Sequence, residues 1–158
     1  PKYNRLIVGG MVRLKGAYII KCNEVIYKND GSIDYLQCEY IPGTKSGQDT
    51  SGLKVKGTIH FVAKQNCFEC TIRNFKNLTK AEYLWPTKAL AQGVSIDEIL
   101  EPDSLIETTA LAENFLKEAK PFDKFQFMRK GYYTLDKDST KDKYIFNSTI
   151  SLKDSFKK

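Results

Sequence analysis

From Leu6 to Phe75 the chain runs in short apolar or alternating stretches interrupted by turn chemistry, a rhythm that favours antiparallel strands over helices. Asn29-Asp30-Gly31 is the strongest of these interruptions and predicts a hairpin joining Glu24 to Tyr27 with Ile33 to Tyr40. Pro42-Gly43 ends the second strand, and Thr44 to Gly52 reads as a polar loop. Further strands are expected over Met11 to Lys21, Leu53 to Val62 and Cys67 to Phe75, enough together to close a small barrel. In the first of them, alternation puts Arg13, Lys15 and Lys21 on one face and Val12, Leu14, Tyr18 and Ile20 on the other.

The middle of the chain reads differently. Ser95 followed by Glu98 has the spacing of a capping box and predicts a short helix through Leu100 that Pro102 ends. A second short helix is expected over Ala112 to Ala119, and Pro86 argues against a long helix through Ala81 to Ala91. After Pro121, Phe125 to Phe127, Gly131 to Leu135 and Lys143 to Ile150 return to strand pattern, with Asp136 to Asp142 as a loop.

Charge is unevenly placed. Residues 1–80 hold 13 Lys and Arg against 6 Asp and Glu, residues 81–119 hold 2 against 8, and residues 120–158 hold 10 against 5. Two cationic ends flank an acidic middle. Within the ends, three strand-like blocks set cationic or amide groups beside β-branched or aromatic neighbours: Val12-Arg13-Leu14-Lys15, Lys54-Val55-Lys56-Gly57-Thr58-Ile59-His60-Phe61 and Phe125-Gln126-Phe127-Met128-Arg129. Sheet surfaces that meet RNA with unstacked bases are built this way.

Catalysis finds little footing. There is no glycine-rich phosphate loop opening a helix and no nucleophile elbow, and the single histidine, His60, alternates along a strand where a structural role is the commoner one. Thr44-Lys45-Ser46-Gly47 lacks the leading glycine of a nucleotide-binding loop. Cys67 and Cys70 have knuckle-like spacing without a second close pair, so reduced thiols and no metal are expected at Cys22, Cys38, Cys67 and Cys70. No apolar run approaches the roughly 18 residues of a membrane helix, and a cytoplasmic protein without membrane contact is expected. The opening Pro1, in place of Met, leads to the expectation of a piece cut from a longer protein.

Taken in order, several stretches resemble the C-terminal anticodon-binding region of the glutaminyl-tRNA synthetases. They are Arg5-Leu6-Ile7-Val8-Gly9, Val12-Arg13-Leu14-Lys15, Ala17-Tyr18-Ile19-Ile20-Lys21, Val55-Lys56-Gly57-Thr58-Ile59-His60-Phe61, Pro102-Asp103-Ser104-Leu105, Phe125-Gln126-Phe127, Gly131-Tyr132-Tyr133 and Phe146-Asn147-Ser148-Thr149 with Ser151-Leu152-Lys153-Asp154. The resemblance implies a mainly β fold of antiparallel β-barrels related to a ribosomal RNA-binding protein, with short connecting helices. Residues 1–95 would form a complete distal barrel, and residues 96–158 the crossover helices and C-terminal strands of a proximal one. It further implies a tRNA(Gln) partner, a monomeric parent enzyme, and no cofactor in this chain, ATP and Mg belonging to a catalytic domain upstream.

Carried over by position, the resemblance puts Arg5 at the third anticodon base, a guanine, whose acceptors suit paired guanidinium donors. Arg13 and Lys15 fall at the first anticodon nucleotide. Gln126 and Arg129 fall at the middle base, a uracil, where an amide both donates and accepts. Alternation sets Gln126 and Arg129 on opposite faces, so a bulge or turn near Met128 is required. Asn4, Phe61 and Met128 depart from the family pattern, where lysine, tryptophan and a polar residue are usual. Two other readings stand beside this one: a stand-alone RNA-binding barrel of the ribosomal-protein kind, and the equivalent region of a glutamyl-tRNA synthetase.

Overall fold

The computed structural model describes residues 6–83 and 85–152. The chain gathers into two compact units, Pro1–Phe61 and Val62–Lys158, and each holds one sheet. The mainly β class with a few short helices is what the chain adopts.

The first sheet has the order β3-β2-β1-β4, built from β1 (Met11–Leu14), β2 (Ile19–Tyr27), β3 (Ile33–Tyr40) and β4 (Thr58–Ile59). Its hairpin forms where the turn chemistry predicts. Gly31 takes φ +81°, a left-handed conformation that costs glycine nothing, and the Asp30 carboxylate accepts from the Ser32 N–H and hydroxyl. Three residues of its strands are buried, Val12 and Cys22 on one face and Ile19 on the other. The stretch Leu53 to Val62 yields less strand than its pattern predicts. Only Thr58–Ile59 pairs, in parallel with Arg13 and Leu14, and Lys54 and Lys56 lie outside the ladder.

The second sheet has the order β6-β5-β9-β8-β7, from β5 (Cys67–Phe75), β6 (Leu105–Glu113), β7 (Lys124–Phe127), β8 (Gly131–Leu135) and β9 (Ile145–Ser151). Cys67–Phe75, grouped by sequence with the N-terminal strands, instead lies between β6 and β9. Its inward residues Cys70 and Ile72 join Ala112, Leu116, Tyr133, Leu135 and Phe146 in one apolar core. Phe146 is wholly buried, with the rings of Phe125 and Phe127 centred 6.1 and 5.3 Å from its own. Partner choice among strands is a tertiary decision, and this core makes it.

Two helix expectations resolve differently. Ser95 caps α2 (Ile96–Ile99) as predicted, its hydroxyl accepting from the Glu98 N–H. Ala112 to Ala119 is helical only in part: β6 runs on to Glu113, and the short helix that follows, over Asn114–Glu118, is of the 3-10 kind. Alanine favours helix weakly, whereas the ladder from Cys67↔Glu113 to Phe75↔Leu105 fixes the whole strand, and Ala110 and Ala112 are small enough to sit against Cys70 and Phe68. Pro86 opens α1 (Pro86–Ala91) rather than breaking it, since a first-turn residue has no intrahelical N–H bond to lose.

Candidate nucleic-acid interface

In the first unit, β1 carries Arg13 between Ile19 of β2 and Thr58 of β4. The register pairs Met11 with Lys21, so Arg13 and Lys21 share a face as alternation predicts. That face is not uniformly cationic. Ile19, directly opposite Arg13, is wholly buried, and the Thr44 to Gly52 loop folds back at this point. Thr44 is buried too: its hydroxyl accepts from the Ile19 N–H at 2.9 Å and donates to the Ile41 carbonyl at 2.6 Å.

The same loop holds the Arg13 guanidinium. Nη1 donates to the Thr44 carbonyl at 2.6 Å, and Nη2 donates to the Asp49 carboxylate. Asp49 is itself braced by the Ser51 hydroxyl and N–H, at 2.7 and 2.9 Å. These Ser51 bonds, and after them Arg13, hold its carboxyl below the usual carboxylate range. Arg13 is thus oriented in advance, with part of its donor fork committed to protein. Lys15 follows just past the strand, exposed, its backbone N–H bonded to Ile59. Arg5 lies outside the described residues.

In the second unit, β7 pairs with β8 so that Phe125 faces Tyr133, Gln126 faces Tyr132 and Phe127 faces Gly131. Phe125 and Phe127 point into the core, and the Phe127 ring stacks on Tyr133 at 4.6 Å. Strand alternation then turns Gln126 outward, where it is exposed. The turn required before Arg129 is present: the Lys130 N–H donates to the Phe127 carbonyl at 2.9 Å. Arg129 occupies the left-handed region at φ +62°, a conformation unusual for a side chain of its size, and is exposed in this loop.

Not every basic strand residue faces outward unpaired. Arg73 on β5 is bound by Glu107 at 2.7 Å and Asp136 at 3.4 Å, and the Glu107 bond is the main cause of its raised pKa. The Asp138 N–H, then Asn147 and Arg73, hold Asp136 below its ordinary range. His60 is exposed just beyond β4. Among the described residues no group of three or more His, Cys, Asp or Glu is placed to hold a metal ion. Sequence reasoning missed the Thr44 and Asp49 partners of Arg13. The Asp49-Thr50-Ser51 turn pattern was the available clue, but nothing local linked it to a residue 36 positions earlier.

Residues 58–136 match the family described as tRNA synthetases class I (E and Q), anti-codon binding domain, and residues 2–41 match a second family of the same description. The chain belongs to the class I tRNA-synthetase anticodon-binding domains. Among relatives, it is 45% identical over 157 residues to a glutamine–tRNA ligase of Rhodopirellula baltica, a match covering 99% of this chain and 26% of that protein. Glutamine–tRNA ligases of Clostridium perfringens and Pseudomonas aeruginosa are each 42% identical, over 99% and 98% of this chain and 28% and 27% of their own. The anticodon-binding chain described here therefore spans about a quarter of the length of the relatives it matches (26 to 28%). Both of its units contribute to the family matches, and four of the five expected anticodon-reading residues fall among the described ones: Arg13 and Lys15 in the first unit, Gln126 and Arg129 in the second.

Proposed function

We propose that this chain is the anticodon-reading part of a glutamine–tRNA ligase and that it selects tRNA(Gln). Identity to glutamine–tRNA ligases over nearly the whole chain carries this reading. The outward amide of Gln126 next to a basic turn supports it, because an exposed carboxamide can match the donor and acceptor of a uracil edge. In this reading Arg129 assists Gln126 at the middle base, Arg13 and Lys15 hold the first anticodon nucleotide, and Arg5 reads guanine at the third. Asp49 and the Thr44 carbonyl keep the Arg13 fork in one orientation, which lowers the ordering cost of binding. Glutamine activation with ATP and Mg is assigned to a catalytic domain elsewhere in the enzyme, which we place in the cytoplasm as a monomer. No described helix is long and apolar enough to cross a membrane.

The test is titration of the full-length protein with anticodon stem-loops of tRNA(Gln) at fixed salt, altering one anticodon base at a time. Each change is expected to cost about 1–3 kcal/mol, and Gln126→Ala should remove the preference at the middle base alone. Equal binding of all the altered loops would refute the reading. Charging with glutamate in place of glutamine would move the chain to the glutamyl branch.

A further inference from the structure

Across the outer face of the second sheet one row of side chains runs from edge to interior: Gln126 on β7, Tyr132 on β8 and Ile150 on β9, each directly opposite the next. Residues opposite one another in an antiparallel pair project to the same side with Cβ atoms about 5 Å apart. The neighbouring row, Lys124, Thr134 and Asn147, lies on that side too. Tyr132 is 43% exposed, whereas Tyr133, the next residue, is 7% exposed and locked in the core. Tyr132 therefore presents an aromatic ring to solvent directly beside an outward carboxamide.

The backbone is arranged to keep it there. Between β8 and β9 the register slips at Tyr132/Tyr133: Tyr133 faces Ser148, yet Tyr132 faces Ile150, and Thr149 is the extra residue. Its hydroxyl donates to the Tyr132 carbonyl at 3.1 Å, so the bulge leaves that acceptor satisfied. Bulges re-aim side chains, and this one sets Ile150 rather than Thr149 beside Tyr132, giving the ring an apolar neighbour on the side away from Gln126.

We infer that Tyr132 is the stacking platform for the nucleobase that Gln126 reads. This rests on the proposed anticodon reading and extends it. An amide recognises a base edge but does not hold the base plane, and an unstacked base in water gains most from an aromatic face. With the amide on one strand and the ring on the next, edge and face of a single base are engaged together. Lys124 on the same side, with Arg129 and Lys130 in the adjoining loop, supplies the positive potential its phosphates require.

The experiment uses the full-length protein and two RNA hairpins carrying the anticodon loop, one with uridine and one with an abasic nucleotide at the middle position. Tyr132→Leu keeps an apolar side chain but removes the π face, and should weaken the uridine hairpin roughly 5- to 100-fold while leaving the abasic one unchanged; Tyr132→Phe should stay within about twofold of the parent. If Gln126→Ala loses uridine preference and Tyr132→Leu binds as the parent does, the platform is overturned and the anticodon reading survives. If the unaltered protein binds both hairpins equally, both fail. Should Tyr132→Leu not fold, irradiation of the unaltered protein with 4-thiouridine at the middle position decides: a crosslink on Tyr132 supports the inference, and crosslinks confined to other residues overturn it.

Discussion

Gly131 adjoins the proposed platform residue Tyr132, and Gly131→Ala tests the strand packing beneath it. The residue starts β8 at φ +156°, buried, opposite Phe127 on one side and Ser151 on the other. A Cβ there would stand 2.9 Å from the Ile150 carbonyl oxygen, with the Tyr133 ring at 3.6 Å and the Ser151 Cα at 3.8 Å. The closest of these is backbone in a ladder, so it cannot swing aside as a side chain end would. Two costs add: about 1–3 kcal/mol for a side chain in a backbone region reserved for glycine, and a further 1–3 kcal/mol or so for forcing atoms into filled space. Their sum, about 4 kcal/mol, corresponds to a fall of roughly 15–30 °C in the melting temperature of a unit of this size. Gly93→Ala is the control, because Gly93 has φ +84° but nothing within 4 Å of where its Cβ would stand, leaving only the left-handed penalty of about 1–2 kcal/mol. Thermal unfolding followed by circular dichroism should place Gly131→Ala well below Gly93→Ala. A melting temperature equal to the control, or above it, would show that β8 and β9 do not approach as closely as the 2.9 Å contact requires.

Two further perturbations address the rest of the molecule. Thr44→Val keeps the shape of a buried side chain but removes the hydroxyl that serves both Ile19 N–H and Ile41 C=O, and is expected to cost about 2–3 kcal/mol; urea unfolding with an unchanged slope should show it, and a loss under about 0.5 kcal/mol would contradict the assigned bonds. Burial, with Glu69 nearby, pushes the Cys70 thiol from 9.0 up to about 11, so the folded protein keeps a proton that the unfolded chain gives up; stability should be intact below pH 9 and fall between pH 9 and 11 by an amount on the order of 3 kcal/mol, and a Cys70→Ala protein with the same slope over that window would refute the assignment.

What could be read in the sequence divides along the range of the forces involved. The Asn29 to Gly31 turn and the Ser95 cap are settled by atoms within a few residues, and both form as predicted. Ala112 and Glu113 go to the strand instead of the short helix that follows them, because alanine's helix preference is a weak local term while the strand draws its stability from Cys67–Phe75, distant in sequence. For the same reason Cys67–Phe75 was recognisable as a strand but not as a neighbour of β9, whose register partners Ile145 to Asn147 lie more than 70 residues on. Leu53 to Val62 shows the converse: a good pattern without enough partner to pair with leaves only Thr58–Ile59 in the ladder.

The candidate site follows the same division, and this bears on how its residues act. Gln126 was legible because it sits between two phenylalanines that a core must take, and the core takes them. Arg129 needed a departure from alternation, and the chain supplies it by placing a non-glycine residue at φ +62°, a local expense that the Phe127–Tyr133 stack and the Phe146 contact below it can offset. Arg13 was legible as a cation on a strand but not as a held one, since its partners come from a loop whose own anchor is a buried threonine. These cases place Arg13 and Gln126 on strands and Arg129 in the turn between β7 and β8, and leave their orientation to long-range contacts that no short motif encodes. Rigid placement is what discrimination among bases demands, because a group free to follow any base edge would pair with the wrong ones as well.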